Sequence, residues 1–294
     1  MKLMKEPQRF LKGKILNMIY LLEIFGYSFM QRALITILML SVILPIIGVN
    51  VVTKRMSMIG DTISHTSLAG IAIGLASGTL PVAMAIVVSV VAGLIIELVR
   101  SKFTKYSEIS LAIVLSASIG ITGIMTSFAP ANKFESYLFG SILTVSVQDI
   151  YIILGVFIFV VIYSTIFYRA NFALSYNLVE AKISGVNVNA LNIANTIVTA
   201  LSIAVSSAII GSLLVSSLLI IPVACSLQIF KKYSKISFFS ILISLLVGVI
   251  GLIVSYYLSI NTGSTIVLLG IVVLIFILIF KTIFTHVLER KSKK

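Results

Sequence analysis

The chain has 294 residues, of which 59% are hydrophobic and only 11% are charged, whereas soluble domains carry about 25% charged residues. A mean hydropathy of +1.17, with apolar runs repeating from end to end, excludes a water-soluble single domain and predicts a polytopic membrane protein. At about 20 residues for each crossing, these runs make roughly eight or nine spans and leave no soluble domain. Any ATPase, kinase or receptor domain must therefore be a separate polypeptide.

The net charge of +13 does not indicate nucleic-acid binding, because Lys and Arg collect in short gaps between the apolar runs. That pattern is the positive-inside signal of membrane proteins. The single cysteine, Cys225, lies in an apolar segment and excludes both a disulfide framework and a cysteine-rich metal site.

Nine apolar segments are predicted to be transmembrane helices, so the fold class is all-α, with eight to ten helices possible. Their positions are about 33–53, 60–77, 80–99, 108–128, 148–168, 190–208, 212–230, 236–258 and 264–284. Basic residues occupy every second gap, at 54–55, 100–105, 169–182, 231–235 and 281–294. Those gaps are predicted to be cytoplasmic, and the gaps between them to face outward.

Residues 1–31 are predicted to be a basic N-terminal extension that ends in an amphipathic helix lying in the membrane interface. A tenth, short span over 16–31 is the alternative, because the lysines of the extension favour a cytoplasmic N-terminus whereas nine spans place it outside. Residues 32–285 form the predicted transmembrane domain, and 286–294 a basic cytoplasmic tail. No cleavable signal peptide is evident.

Asp61 and His65 are the clearest candidates for chemistry, because ionisable side chains within a membrane span are costly to bury. They stand four residues apart in a helix, so both lie on one face. A carboxylate and an imidazole so placed could share a divalent cation such as zinc or manganese, with Ser64 adding a nearby hydroxyl. The alternative is a helix-start pair in which Asp61 is favoured by the helix dipole and His65 is hydrogen-bonded to it.

Proline and serine residues mark a second possible feature of the spans. Pro222 should kink its helix and leave carbonyl groups to be satisfied by neighbours or by a pathway. With Ser64, Ser206 and Ser216, it is predicted to line a gate or pathway; ordinary kinked packing is the alternative. Glu97 and Arg100, three residues apart at a helix end, are interpreted as a surface ion pair.

The segment 169–191 is the largest predicted cytoplasmic loop. Glu180 and Ala181 fall in a possible short helix that Gly185 would end. Such a helix lying across the cytoplasmic surface is what a transport subunit needs in order to receive motion from a separate ATPase. A plain connecting loop is the alternative.

Several stretches resemble the permease subunits of bacterial zinc and manganese ABC importers, the ABC-3 family. The strongest is Arg55-Met-Ser-Met-Ile-Gly-Asp-Thr-Ile-Ser-His-Thr-Ser-Leu-Ala-Gly70; the others are 29–34, 137–146, Glu180-Ala with Gly185-Val, and 211–222. Order and spacing agree from about residue 22 to 284. The basic extension before residue 22 departs from the family pattern.

The resemblance implies a multi-pass permease of the bacterial inner membrane that forms a homodimer with the path near its two-fold axis. It implies a cytoplasmic ABC ATPase docked at Glu180, Ala181 and Gly185, and an extracytoplasmic metal-binding protein that delivers the ion. Asp61 and His65 match the family's acidic and histidine positions, as transient ligands. No permanently bound cofactor and no enzymatic activity are expected of this chain, since ATP is hydrolysed by the partner. The stretches at 136–146 and before Gly70 favour zinc over manganese or iron.

Three other classes compete with this interpretation. A secondary transporter working alone would show inverted halves with matching broken helices, and 33–145 and 148–284 show no such correspondence. A membrane enzyme would need more His, Cys or intramembrane carboxylates than this chain has. A membrane scaffold is the remaining alternative, and co-purification with an ATP-hydrolysing subunit would separate the importer from all three.

Overall fold

A computed structural model describes residues 26–102, 107–130, 134–135, 137, 142–176 and 178–292. This part of the chain is mostly helical and contains no strand. Its helices are α1 (Ser28–Thr53), α2 (Ile59–Ser77), α3 (Pro81–Lys102), α4 (Ser107–Thr126), α5 (Val147–Ile166), α6 (Tyr168–Tyr176), α7 (Leu178–Ile183), α8 (Val188–Ile210), α9 (Ser212–Ile229), α10 (Tyr233–Leu258) and α11 (Thr262–Ser292), with a 3-10 turn at Ile142–Thr144. The all-α prediction is confirmed.

Eight of the described helices are long and apolar enough to cross a bilayer: α1, α3, α4, α5, α8, α9, α10 and α11. The one remaining predicted segment, 60–77, also forms a helix, α2, but this helix is not among these eight. Its sequence carries Asp61, His65 and several Ser and Thr residues, which lower its hydropathy. A polar helix of this kind is accommodated inside a bundle, where neighbouring helices rather than lipid surround it.

The two ends of the predicted transmembrane domain differ slightly from expectation. Helix α1 begins at Ser28, so residues 28–31 belong to the first long helix and not to a separate interfacial one. The remainder of the predicted N-terminal extension, residues 1–25, lies outside the described residues. Helix α11 continues to Ser292, through most of the predicted basic tail.

The core lies around α1, α2, α8 and α9, whereas α4, α5 and α11 expose most of their surface to the surroundings. Glycine permits the closest approaches. A side chain at Gly70 would collide with the backbone of Ala85 on α3, and one at Gly248 would meet Ile37 on α1. Gly120 and Gly123 on α4 differ, because the space beside them is open among the described residues. Close helix packing therefore involves Gly70 and Gly248 but not the glycines of α4.

Candidate functional site

Helix α2 carries the two ionisable side chains singled out by the sequence. Between residues 59 and 72, every residue is buried except Asp61, which is exposed, and His65, which is partly exposed. Because they are one turn apart, the two side chains lie along one open strip of an otherwise enclosed helix. We refer to this face of α2, defined by Asp61 and His65, as the open strip.

Four helices enclose the rest of α2. On the α4 side, the Thr66 and Ser118 hydroxyls are 2.8 Å apart, and Thr62 Oγ1 donates to Leu111 O at 3.4 Å. On the α8 side, Ser67 Oγ donates to Ala204 O at 3.2 Å.

Two glycines bring α2 close to the other two helices, with Gly70 against α3 and Gly60 against Ser216 and Leu219 of α9. The positions of these residues around the α2 axis show which helices lie next to the open strip. Helices α4 and α9 border the strip, and α3 and α8 pack on the opposite side of α2.

An apolar cluster closes the open strip toward the gap at 130–147, which is predicted to face outward. Leu68 and Ala72 continue the face of Asp61 and His65, but both are buried in a cluster with Phe134 and Ala208. Met125 and Tyr137 pack against the same cluster. The open strip is therefore accessible beside the N-terminal half of α2 and blocked beside its C-terminal half.

Asp61 and His65 do not neutralise each other by pairing. Within the described residues, the single ion pair joins Glu97 to Arg100. The same part of the chain contains no cluster of three or more His, Cys, Asp and Glu side chains that could hold a metal ion. Asp61 and His65 thus offer two ligands from one chain, which suits a site completed by other groups better than a closed metal cage.

The three serine candidates have different surroundings. Ser64 is buried, its hydroxyl has no hydrogen-bond partner among the described residues, and it lies between Gly60 and Ser67 on the side of α2 that meets α8 and α9. Ser216, on α9 beside Gly60, donates to Ser212 O at 3.2 Å. Ser206 is equally buried and unpaired among these residues, but it comes two positions after Ala204 and so lies on the opposite side of α8.

Pro222 lies within α9, which continues as one helix through it, and it faces away from α2. It lines a small cavity with Ser217, Ile243, Ile266 and Gly270, between α9, α10 and α11. The structure therefore brings Ser64 and Ser216 to the neighbourhood of Asp61 and His65, and leaves Pro222 and Ser206 outside it.

The predicted short helix of the 169–191 loop is present as α7, and Gly185 ends it. Gly185 has a φ of +78°, its amide donates to Lys182 O, and the Val186 amide donates to Ala181 O, both at 3.1 Å. These two bonds form a Schellman motif, which requires a left-handed residue where Gly185 stands. Glu180 is exposed, whereas Ala181 is fully buried against Leu174, Val188 and Leu191.

Polar contacts attach the α6–α7 segment to the transmembrane helices. Thr53 Oγ1, at the end of α1, donates to Ser175 Oγ at 3.2 Å. Asn195 of α8 donates through Nδ2 to Asn171 Oδ1 at 2.8 Å and accepts from the Tyr163 hydroxyl at 3.0 Å. Hydrogen bonds therefore join α6 to α1 and α8, and the Tyr163 hydroxyl joins α5 to the same Asn195.

The interpretation of Glu97 and Arg100 as a surface pair is wrong. Glu97 is 5% exposed; Arg100 donates to it through Nη2 at 2.7 Å and through Nε at 3.1 Å, and Thr196 Oγ1 donates to it at 3.2 Å. Lys54 lies near this group and donates to Asn192 Oδ1 at 2.9 Å. Burial and the positive charge of Arg100 lower the pKa of Lys54 to about 8, against the opposing effect of Glu97. The signal was present in the sequence, because Glu97 continues the buried stripe of Ala85, Ser89 and Gly93 on α3.

A bundle of apolar helices around one polar helix, with a short helix attached at its basic end, defines a multi-pass membrane protein. The sequence profile described as "ABC 3 transport family" matches residues 26–281, and the chain belongs to that family. It is a multi-pass protein of the bacterial inner membrane.

Among its relatives, a "Probable metal transport system membrane protein" of Treponema pallidum is 33% identical, over 86% of this chain and 95% of that protein. The "High-affinity zinc uptake system membrane protein ZnuB" of Haemophilus influenzae is 30% identical, over 82% and 94%. The "Manganese transport system membrane protein MntC" of Listeria monocytogenes is 28% identical, over 90% and 94%. A solved structure, "PsaBC from Streptococcus pneumoniae in complex with Fab", superimposes with a TM-score of 0.79 at 25% identity, covering 88% of this chain and 95% of that one.

Proposed function

We propose that this chain is the membrane permease of an ABC importer that carries a divalent transition-metal ion, zinc in preference to manganese or iron, into the bacterial cytoplasm. The observation that carries the proposal is the open strip: a carboxylate and an imidazole are the two residues of 59–72 that are not buried, on a helix packed on every other side. An apolar bundle has no structural need for such a pair. The names of the relatives, which include zinc, manganese and iron transport, support a metal ion as the cargo.

A second copy of the chain completes the site in this proposal. Two ligands hold an ion weakly, whereas two copies related by a two-fold axis along the open strip supply two carboxylates and two imidazoles. Four such ligands satisfy tetrahedral zinc, and imidazole suits zinc better than it suits manganese. Manganese is the second candidate, because carboxylate oxygens bind it and one of the relatives carries its name.

Asp61 and His65 act as transient ligands. They replace part of the hydration shell of the ion while it crosses the apolar bundle, and the Ser64 hydroxyl adds a further oxygen at the edge of the open strip. The cluster of Leu68, Ala72, Phe134 and Ala208 blocks the outward side. Transport then requires this cluster to separate so that the ion delivered by an extracytoplasmic binding protein reaches the ligands.

A cytoplasmic ATPase supplies the energy by docking on α7, with Glu180 exposed and Gly185 fixing the end of the helix. Buried Ala181 packs this helix against α6 and α8, and the hydrogen bonds of Asn171 and Thr53 connect α6 to α8 and α1. In this proposal the chain itself does not hydrolyse ATP, and it carries the docking surface and the pathway.

Reconstitution tests the proposal against an ATP-independent secondary transporter. The chain and its ATPase are incorporated in vesicles, and uptake of zinc and manganese is measured with ATP, without ATP, and with an imposed proton or sodium gradient. We expect metal uptake only with ATP and the ATPase. Uptake driven by a gradient in the chain alone would contradict the proposal and support the secondary transporter.

A further inference from the structure

A cavity of about 360 Å³ opens between α1, α5, α6 and α10, away from the open strip on α2. The cavity lies near one end of the bundle. Every lining residue is within about two turns of a helix end, and these helix ends adjoin the gaps that carry the basic residues. Its lining residues are Ile46, Asn50, Val161, Ser164, Thr165, Tyr168, Asn171, Tyr233, Ser237 and Ile241. The positive-inside pattern makes this the cytoplasmic boundary of the membrane.

The lining changes from apolar to polar toward the helix ends. Ile46, Val161 and Ile241 are the members of the lining furthest from the ends of α1, α5 and α10. Nearer the ends come hydroxyl, amide and phenol groups, including Asn171, which is 2% exposed. An apolar inner part and a polar outer part at the membrane boundary match an amphiphile whose tail points into the bilayer.

Tyrosine rings form one wall of the cavity. The Tyr233 hydroxyl donates to Asn50 Oδ1 at 2.9 Å, and its ring meets those of Tyr168 and Phe172 edge to face, with centroids 5.6 and 5.8 Å apart. These contacts fix the ring independently of any occupant. Tyrosine is the residue type found where bilayer and water meet.

The charge around the mouth has one sign. Arg169 and Lys232 are exposed and adjoin the lining residues Tyr168 and Tyr233 in the chain, and Lys231 and Lys235 lie beside them. The segments 42–54, 160–176 and 228–242, which supply the lining, contain no Asp or Glu. Basic pockets between helices on the cytoplasmic side bind acidic lipid head groups.

We propose that this cavity binds an anionic phospholipid of the cytoplasmic leaflet. An acyl chain lies along Ile46, Val161 and Ile241, the glycerol region meets Asn171 and the serine and threonine hydroxyls, and the phosphate is held by Arg169 and Lys232. The volume falls in the range of about 300–1,000 Å³ typical of small-molecule pockets.

The bound lipid lies between α6 and the transmembrane helices, so it stiffens the segment that leads into α7. This consequence rests on the proposed function, in which α7 receives the ATPase. The binding itself does not, and it is measured without metal and without ATP.

The test is native mass spectrometry of the full-length chain taken from vesicles that contain equal amounts of phosphatidylglycerol and phosphatidylcholine. We expect about one retained phosphatidylglycerol per chain. Lys232→Gln and Arg169→Gln should each lower the retention of phosphatidylglycerol about five-fold, because each basic side chain contributes about 1 kcal/mol to the binding of an anionic lipid. Lys102→Gln, which removes an exposed lysine at the end of α3, is the matched control and should change nothing.

Filling the cavity is the independent arm of the test. Ser237→Phe should abolish retention, whereas Ser234→Phe, at a neighbouring exposed position outside the lining, should not. Undiminished retention in Ser237→Phe, or equal retention of the two lipids, would overturn the proposal.

Two other occupants have their own signatures, and either would overturn the proposal. If phosphatidylglycerol is retained only after deletion of residues 2–25, the N-terminal segment is the occupant of the cavity in the intact chain. Disulfide cross-linking of a Thr165→Cys chain to a second copy, with no lipid retained, would assign it to that copy.

Discussion

The Val186 amide donates to the Ala181 carbonyl oxygen at 3.1 Å and closes the last turn of α7. The chain can make this bond because Gly185, between them, has a φ of +78°. A Cβ atom at Gly185 would meet no atom within 4 Å among the described residues. The main effect of substitution there is therefore expected from backbone strain or from a partner protein.

Gly185→Val should uncouple ATP hydrolysis from metal uptake, because a β-branched residue resists the left-handed conformation at a cost of about 1–3 kcal/mol. Gly185→Asn is the matched control, since asparagine tolerates that conformation. We expect the Asn variant to transport and the Val variant to hydrolyse ATP with little uptake, as measured by the ratio of metal transported to ATP consumed. Normal coupling in the Val variant would exclude α7 as the ATPase contact.

Removing the buried carboxylate of Glu97 should destabilise the protein. Glu97→Gln leaves Arg100 and Lys54 as neighbouring positive charges, and we expect a loss of about 2 kcal/mol, less than for a fully buried pair because Arg100 is partly exposed. Thermal unfolding in detergent measures the effect, with the exposed Glu108→Gln as control. Equal midpoints for the two variants would mean that the Glu97–Arg100 pair adds nothing to stability.

Stability should rise with pH through the deprotonation of Lys54. Its pKa is about 8 in the folded protein and 10.5 ordinarily, so between these values the unfolded chain binds more protons. The cost of burying the charge is fully present below pH 8 and is relieved as the pH rises toward 10.5. The thermal midpoint of the wild type relative to Lys54→Met should therefore increase between pH 7 and pH 9.5. Lys182→Met, at an exposed lysine, should follow the wild type.

Ser64 and Ser206 form a matched pair for testing the pathway. Both hydroxyls are buried without a partner in the described part of the chain, so replacing either by alanine removes an unsatisfied group and should raise the thermal midpoint slightly. Only Ser64 adjoins the open strip. Ser64→Ala should therefore slow metal uptake several-fold, while Ser206→Ala should not. Equal uptake by the two variants would remove Ser64 from the pathway.

The helices were predictable because their apolar runs are long and are bounded by charge, Gly or Pro. The end of α7 was predictable for a local reason, since Gly185 follows a short helical stretch directly. Both signals act over a few residues of one segment and need no knowledge of its neighbours.

Features that depend on which helix faces which were not predictable from one segment at a time. Glu97 continues the stripe of Ala85, Ser89 and Gly93 on α3, but nothing near it in sequence identifies its partner Thr196, 99 residues away. Ser206 and Pro222 were predicted to line one gate or pathway with Ser64. In the structure, Ser206 on α8 and Pro222 on α9 both face away from α2. The same limit hid the cavity beside Tyr233, whose lining comes from four separate helices.

In the proposed mechanism Asp61 and His65 bind the transported ion. This role is tested by the initial rate of zinc uptake by the Asp61→Asn permease, reconstituted with its ATPase and binding protein and compared with wild type and with Glu108→Gln. Asp61→Asn is nearly isosteric and removes only the charge from an exposed position, so assembly and membrane insertion should be unchanged. We predict that uptake is abolished in Asp61→Asn, is abolished likewise in His65→Ala, and is normal in Glu108→Gln. Uptake at the wild-type rate in the Asp61→Asn/His65→Ala double variant would contradict the account.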